Sequence, residues 1–252
     1  MPLKHILRNF TVAGLVLTVA ITGCTSFQQV KMRQIKPSSP ERLSSEEYGW
    51  WYARFRMNWP QDTEARWYMD LFVAHQIILP VLNKFENDIY LWRFHRRAAR
   101  DKAGHQFSFI FYASPSTAYN IYQNLSNDTL LTEIKFAGLI IEDIYDDPSF
   151  VSKPNIEDTS DKNWSSPIQE AWPYYIMGVS QMWLNLIRDI ADDHANGSMP
   201  ATIAEIEEFY QAVNTSLTEL WEKEGRHAFL HHLNALFGYE PLVVYEKRLL
   251  KF

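Results

Sequence analysis

The chain has 252 residues, of which 46% are hydrophobic and 21% charged, and this balance supports a substantial core and excludes a globally disordered protein. Its net charge of −6 at pH 7 argues against binding to nucleic acid, which needs a basic surface. Its single cysteine excludes an internal disulfide.

The first 24 residues have the three parts of a removable targeting signal. Lys4 and Arg8 form a basic start, residues 10–22 form an apolar run, and Gly23 precedes Cys24. The run has about 13 residues, whereas a membrane-spanning helix needs roughly 20, so it suits the h-region of a signal peptide. An uncleaved anchor helix is the alternative. The segment resembles the signal peptide and lipobox of a bacterial lipoprotein precursor.

The resemblance implies that residues 1–23 are removed and that Cys24 becomes a new N-terminus carrying diacylglycerol and an N-acyl chain such as palmitate. Several acyl chains bury more CH₂ groups than a single myristoyl chain, so the contact with the membrane is expected to be stable. Because Thr25 and not aspartate follows the cysteine, the resemblance further implies an outer-membrane protein of the cell envelope. We expect it to face the periplasm, with surface exposure as the alternative.

Residues 24–48 are polar and contain prolines and paired serines, which predicts a flexible tether, or alternatively a strap that is partly ordered. The next segment, residues 50–59, alternates apolar and polar side chains and predicts a strand. Residues 63–85 repeat apolar side chains at spacings of three and four, which predicts an amphipathic helix that is kinked or ended near Pro80.

A hairpin and two helices are expected after this helix. Residues 90–97 and 106–111 both alternate with period two around a turn near Gly104. Ser114-Pro115 opens a helix, a second helical stretch covers residues 129–136, and residues 139–145 form a fourth strand. This β-α-β-β-α-β order matches the split βαβ arrangement of ferredoxin-like domains. We therefore predict an α+β fold, with a ferredoxin-like antiparallel sheet over residues 49–146.

Residues 147–252 predict an acidic loop followed by a C-terminal helical extension that packs on the sheet. Capping residues start helices at Ser166 and at Thr202. The second of these is expected to end near Gly225, and a shorter helix follows up to Gly238. Residues 241–252 fit either a strand or a helix.

The strongest candidate for a metal site combines Glu224, His227 and His231, with His232 adjacent. Offsets of three and four residues place the first three side chains on one face of an α-helix. Zinc usually takes three or four such ligands. The alternative is a polar helix face with ordinary histidines, and a helix end at Gly225 would remove Glu224 from the set.

The best candidate for a ligand site is a basic sheet face. If the first two strands lie in one sheet, five basic side chains share a face and could receive a phosphate, a carboxylate or an acidic glycan. They are Arg54, Arg56, Arg93, His95 and Arg97. The alternative is that these side chains pair with acids on C-terminal helices packed against this face, such as Asp189, Asp192, Asp193 and Glu205.

The sequence contains no nucleophile elbow, no glycine-rich phosphate loop and no cysteine nucleophile after lipidation. We therefore name no catalytic residue and no cofactor, and an enzyme is the less favoured reading. We predict an outer-membrane-anchored envelope lipoprotein that acts as a binding or interaction module for an envelope protein or a ligand. The alternatives are an envelope hydrolase acting on glycan, peptide or lipid, and a ligand or metal sensor for a membrane partner.

Overall fold

A computed structural model describes residues 47–195, 197 and 200–238. The predictions for the signal peptide, for Cys24, for the tether up to residue 46 and for the tail at 241–252 lie outside these residues. Within the described ranges, no helix combines the length and the apolar character that crossing a bilayer requires.

The described chain combines four strands with a larger number of helical segments, and its fold is α+β. The strands are β1 (Gly49–Met57), β2 (Ile89–Ala98), β3 (His105–Ala113) and β4 (Ile140–Tyr145). The α-helices are α1 (Trp67–Phe72), α2 (Leu79–Lys84), α3 (Pro115–Ser126), α4 (Thr129–Phe136), α5 (Ser166–Ala195), α6 (Ile203–Leu220) and α7 (His232–Ala235). Two π-helical segments (Val73–Ile78 and Trp221–His231) and one 3₁₀ turn (Ile156–Thr159) complete the list.

The four strands form one antiparallel sheet in the order β2-β3-β1-β4, so β2 and β4 are its edges. The alternation predicted for β1 is confirmed, because Ala53, Phe55 and Met57 are buried on one face of the sheet and Arg54 and Arg56 lie on the other. We call these the helix-covered face and the second face. The α+β class predicted from the sequence is therefore confirmed, with an antiparallel sheet of four strands in the described residues.

Aromatic side chains fill the space between the helix-covered face and the helices. Phe107, Phe109 and Phe111 of β3 are fully buried, and the rings of the last two stack with centroids 5.0 Å apart. Burying one such side chain contributes about 1.5–3 kcal/mol. Phe72 of α1 and Tyr210 of α6 extend the same core, and their ring centroids lie 5.5 Å apart.

The predicted first helix begins at Trp67, later than expected, and is continuous through Pro80 as α1, a π-helical segment and α2. Proline has no N–H and its ring clashes with the carbonyl four residues earlier, here that of Gln76. The π-helical turns at Val73–Ile78, just before Pro80, accommodate this conflict. The kink predicted near Pro80 is therefore a local widening of the helix, and it carries the buried His75.

Local sequence signals predicted several other boundaries correctly. The Ser114 hydroxyl accepts a hydrogen bond from the backbone N–H of Thr117 at the start of α3. Thr202 and Glu205 form a capping box at the start of α6. Gly104, in the turn between β2 and β3, has a φ of +65°, which glycine adopts at little cost.

Helix α5 crosses the edge strand β2 and packs against both sheet faces. Met177 contacts the small apolar cluster on the second face as well as the main core, and Leu184 and Ile187 lie in the main core. At the crossing, the backbone N–H of Phe94 donates to the Ser180 hydroxyl over 3.1 Å. The helix thus covers part of an edge that would otherwise expose unpaired backbone groups.

Pro173 lies inside α5 and lacks the N–H that would bind the carbonyl of Gln169. The Ser160 hydroxyl donates to that carbonyl over 2.7 Å instead. The acidic loop therefore supplies the hydrogen bond that the proline removes, and α5 continues for 30 residues.

Apart from the first half of α5 at the β2 edge, the C-terminal helices do not cover the second face, although the alternative interpretation of the basic residues required it. The last half of α5 and all of α6 join the main core on the helix-covered face. The acidic loop covers one end of the second face instead. The indole N–H of Trp50 donates to the carbonyls of Asn155 and Ile156, and Tyr112 donates to the carbonyl of Pro154.

The helix end predicted at Gly225 is wrong. Helix α6 continues directly into the π-helical segment Trp221–His231, and Gly225 does not have a positive φ. A Cβ atom at Gly225 would lie 2.5 Å from the Trp221 ring. Glycine is required here because the indole lies against the helix backbone. The left-handed glycine is Gly238, which follows α7 and has a φ of +76°.

Candidate ligand-binding groove

A groove of about 770 Å³ lies where α5 crosses the edge of the sheet. We call it the edge groove. Its walls are residues 93–96 of β2, the stretch 172–186 of α5, and residues 214–229 of α6 and the following π-helical segment. This volume lies within the range of about 300–1,000 Å³ that is typical of small-molecule pockets.

Large apolar side chains form most of the wall. Trp183 packs edge-on against Phe94 with ring centroids 5.6 Å apart, and Trp172 lines the opening on α5. On the facing wall, Trp221 and Phe229 stack with centroids 6.2 Å apart. Trp221 and Phe229 are nevertheless 39% and 37% exposed, because no described element covers them on the groove side.

Arg96 lines the groove, but its charge is already neutralised. Its Nε donates to Oδ2 of Asp70 over 2.8 Å, and its guanidinium carbon lies 5.0 Å and 4.9 Å from the ring centroids of Trp67 and Trp183. Asp70 is fully buried, so water does not compete with Arg96 for its carboxylate. Arg96 therefore holds α1, β2 and α5 together and is not available to a ligand.

The other oxygen of Asp70 lies 2.9 Å from Nε2 of His105, which is also fully buried. The ring N–H is not aimed at this oxygen, so the contact is a close polar pair without a well-formed hydrogen bond. Trp59 and Trp67 pack around the imidazole, with ring centroids 6.3 Å and 5.0 Å from it. The pair resembles part of a catalytic dyad, but solvent does not reach it, and we assign it a structural role.

Arg93 and His95 are the remaining basic residues of the groove. Nε of Arg93 donates to the Thr159 hydroxyl over 2.8 Å, and no acidic side chain of the described ranges pairs with its terminal nitrogens. Burial lowers the pKa of Arg93. His95 is exposed at the rim, and its pKa is lowered first by partial desolvation and then by the charges of Arg93 and Arg97.

The strand register places all five basic residues of the sequence prediction on the second face. His95, Ser108 and Arg54 stand in one cross-strand row, and Arg97, Gln106 and Arg56 stand in the next. The structure nevertheless divides the five between two environments. Only Arg93 and His95 line the edge groove.

The other three basic side chains of the second face are paired with acids that lie close to them. Arg54 pairs with Asp146, Arg56 with Glu142 and Arg97 with Asp101, at 3.5, 3.3 and 2.6 Å. Glu142 lies in β4, Asp146 follows directly after β4, and Asp101 lies in the β2–β3 turn. The acids of the C-terminal helices named in the sequence analysis do not supply the partners.

The residues of the predicted metal site lie on the π-helical segment that forms one groove wall. The rings of His227 and His231 are 4.7 Å apart, and that of His232 lies 5.7 Å from His227. Glu224 instead lines the groove and pairs with Lys223 at 3.6 Å. The predicted metal site rested on spacings of three and four residues, which place side chains on one face of an α-helix. In a π-helix the backbone hydrogen bonds join residues five apart, so different side chains share a face. Nowhere in the described ranges do three or more His, Cys, Asp or Glu side chains form a group that could hold a metal ion.

Sequence reasoning missed the groove because its walls come from three separate parts of the chain. Two signals pointed toward it. Trp172, Trp183 and Trp221 belong to an aromatic content of 15%, and Gly225 interrupts an otherwise helical pattern. Neither signal shows which strand edge the helices cross.

Comparison of the chain with protein-family models, with curated proteins and with solved structures finds no match. Its function must therefore be argued from the site.

Proposed function

We propose that this protein is an outer-membrane-anchored envelope lipoprotein whose ordered domain is a non-enzymatic binding module, with the edge groove as its binding site. The lipobox at Cys24 supports the anchoring, and the groove supports the binding role. The proposal includes a ferredoxin-like sheet region. The strand order β2-β3-β1-β4, with antiparallel neighbours and helical connections after β1 and β3, supports that assignment.

The observation that carries the binding role is the exposed aromatic wall of the groove. Soluble surfaces rarely leave several large aromatic side chains together in a concave site without a ligand or partner. Trp221 and Phe229 are exposed in the edge groove, and Trp172 and Trp183 are partly exposed there. A ligand that replaces water against these rings gains free energy from the apolar area that it buries.

Anchoring is tested with the full-length chain in cells supplied with labelled palmitate. We expect the wild-type protein to incorporate the label and the Cys24→Ser variant to accumulate as an unlabelled precursor of higher mass. Labelling of the variant would overturn the lipoprotein assignment.

Binding is tested by energy transfer from tryptophan to the uncharged dye N-phenyl-1-naphthylamine, with the full-length protein held in nanodiscs. Ala228 lines the groove, so Ala228→Phe fills it and should reduce the transfer. Ala212 is exposed on α6 away from the groove, and Ala212→Phe is the matched control, which should bind dye like the wild type. Equal transfer in all three proteins would refute the groove as a binding site.

A further inference from the structure

We infer that the edge groove binds a single-chain anionic amphiphile, whose alkyl chain lies against the tryptophan walls and whose carboxylate or phosphate head is held by Arg93 and His95. This inference deepens the proposed function and rests on it. It names the chemical class of the ligand, which the proposed function leaves open.

The argument for an anionic head begins with the pairing of neighbouring arginines. The four other arginines within the same two strand segments each contact a carboxylate: Arg54 with Asp146, Arg56 with Glu142, Arg96 with Asp70, and Arg97 with Asp101. Arg93 differs, because in the described part of the chain its only polar side-chain partner is the neutral hydroxyl of Thr159. Among the five arginines of these two described strands, the one without a carboxylate partner therefore lines the groove.

The surroundings of Arg93 strengthen its attraction for an anion. Burial disfavours the bare guanidinium, as the lowered pKa of Arg93 indicates, and a bound carboxylate or phosphate offsets that cost through charge-assisted hydrogen bonds. His95 stands two residues further along the same strand and face. It offers a ring N–H to the same head group in its neutral form and a second positive charge when protonated.

Glu224 is the acidic side chain among the residues that line the groove, and it does not neutralise Arg93. It lies on the facing wall, is 59% exposed and pairs with Lys223 at 3.6 Å. The groove therefore has a basic end at β2 and an aromatic stretch between α5 and the π-helical segment. A ligand that matches it has one anionic end and an apolar body.

The polar groups inside the groove favour an alkyl chain over a peptide. The Ser180 hydroxyl accepts from the Phe94 N–H and donates to the carbonyl of Ile176, and the Thr218 hydroxyl donates to the carbonyl of Asn214. These groups are already engaged. A peptide laid along the aromatic wall would leave its own N–H and carbonyl groups without partners, which costs free energy that an alkyl chain avoids.

The test uses full-length protein in phosphatidylcholine nanodiscs with N-phenyl-1-naphthylamine bound. Four compounds that share a chain of about twelve carbons, a length chosen for a groove in the small-molecule size range, compete for the dye. They are dodecanoate, dodecyl phosphate, dodecanol and dodecyltrimethylammonium. Loss of energy transfer reports displacement, and the two anions show which head group is preferred.

We expect both anions to displace the dye at concentrations at least roughly tenfold lower than the neutral and cationic compounds, because a hydrogen bond to a charged group contributes about 1.5–3 kcal/mol and about 1.4 kcal/mol corresponds to a factor of ten. Arg93→Gln combined with His95→Gln should remove this difference without abolishing dye binding. Arg97→Gln is the matched control on the same strand and face, and it should keep the difference. Arg93→Lys, which keeps the charge, should keep most of it.

The outcomes separate this inference from the function on which it rests. Equal displacement by all four compounds, or an unchanged anion preference in the double variant, overturns the anionic head and leaves the groove as a binding site. Failure of the dye to bind overturns the proposed function itself. If removal of residues 239–252 is required before any compound binds, the occupant is a segment of the chain, and the inference is wrong.

Discussion

The buried pair of Arg96 and Asp70 allows a sharp test of how this fold is stabilised. Asp70 is fully buried and contacts both Arg96 and His105, so Asp70→Asn keeps the shape of the side chain and removes its charge. Breaking a buried pair by removing one partner costs about 3–5 kcal/mol. Arg96 is 29% exposed and keeps its contacts with two tryptophans, so we place the loss at the lower end, about 3 kcal/mol.

The neighbouring arginine provides a matched control. Arg97 pairs with Asp101 at 2.6 Å, but Asp101 is 52% exposed. Exposed ion pairs contribute little, because water already solvates both charges. Asp101→Asn is therefore expected to leave the stability close to that of the wild type. Each variant removes one negative charge, from the partner of Arg96 or from the partner of Arg97. The two carboxylates differ in burial, since Asp70 is fully buried and Asp101 is exposed.

The assay is pulse proteolysis of the full-length protein in membranes across a urea series. With a urea m value of about 2 kcal/mol/M, a loss of 3 kcal/mol lowers the unfolding midpoint by about 1.5 M. Asp101→Asn should hold the wild-type midpoint. If the two variants shift the midpoint equally, or if Asp70→Asn has no effect, the reasoning from burial is refuted.

Two further predictions use the same assay. His75 is buried, and burial lowers its pKa although the charge of Asp192 acts in the opposite direction. Below the ordinary histidine pKa of about 6.5, the unfolded chain therefore binds a proton at His75 more readily than the folded chain does. The free energy of unfolding falls with the pH in that range, by at most about 1.4 kcal/mol per pH unit. In His75→Gln, the free energy of unfolding should fall less steeply as the pH is lowered below about 6.5. The same pH dependence in the variant and the wild type would show that His75 does not cause it. Ser180→Ala leaves the Phe94 N–H without its acceptor and should lower the free energy of unfolding by about 1–3 kcal/mol. Ser180→Thr keeps the hydroxyl and should lower it less. Equal urea midpoints for the two variants would show that this hydrogen bond does not stabilise the sheet edge.

Elements governed by short-range rules could be predicted from the sequence. Alternation identified β1 and β3 because every second side chain of a half-buried strand points to the same face. Ser114 and Thr202 identified helix starts because a cap and the N–H that it binds lie within three residues of each other. The five basic residues of the second face follow from the same alternation.

Elements that depend on distant contacts could not be predicted in this way. The path of α5 across β2 is tied to the Ser180–Phe94 contact, which joins residues 86 positions apart. The continuation of the helix past Gly225 depends on how the Trp221 ring packs, whereas the glycine by itself favoured a helix end there. The metal prediction depended on an α-helical spacing that the π-helical segment does not have.

The basic face shows most clearly where local reasoning stops. Its membership follows from the pattern of residues along two strands, because the side-chain period of a strand is a local property. Which of its members are neutralised does not follow, because that depends on the register of β4 against β1 and on the folding of the β2–β3 turn. Tertiary structure placed a carboxylate from a distant part of the chain beside Arg54 and Arg56, whereas the partner of Arg97 comes from the adjoining turn. It left Arg93 at an aromatic groove. The reason is physical: an ion pair needs its two charges within about 4 Å, and only the folded chain brings distant residues that close.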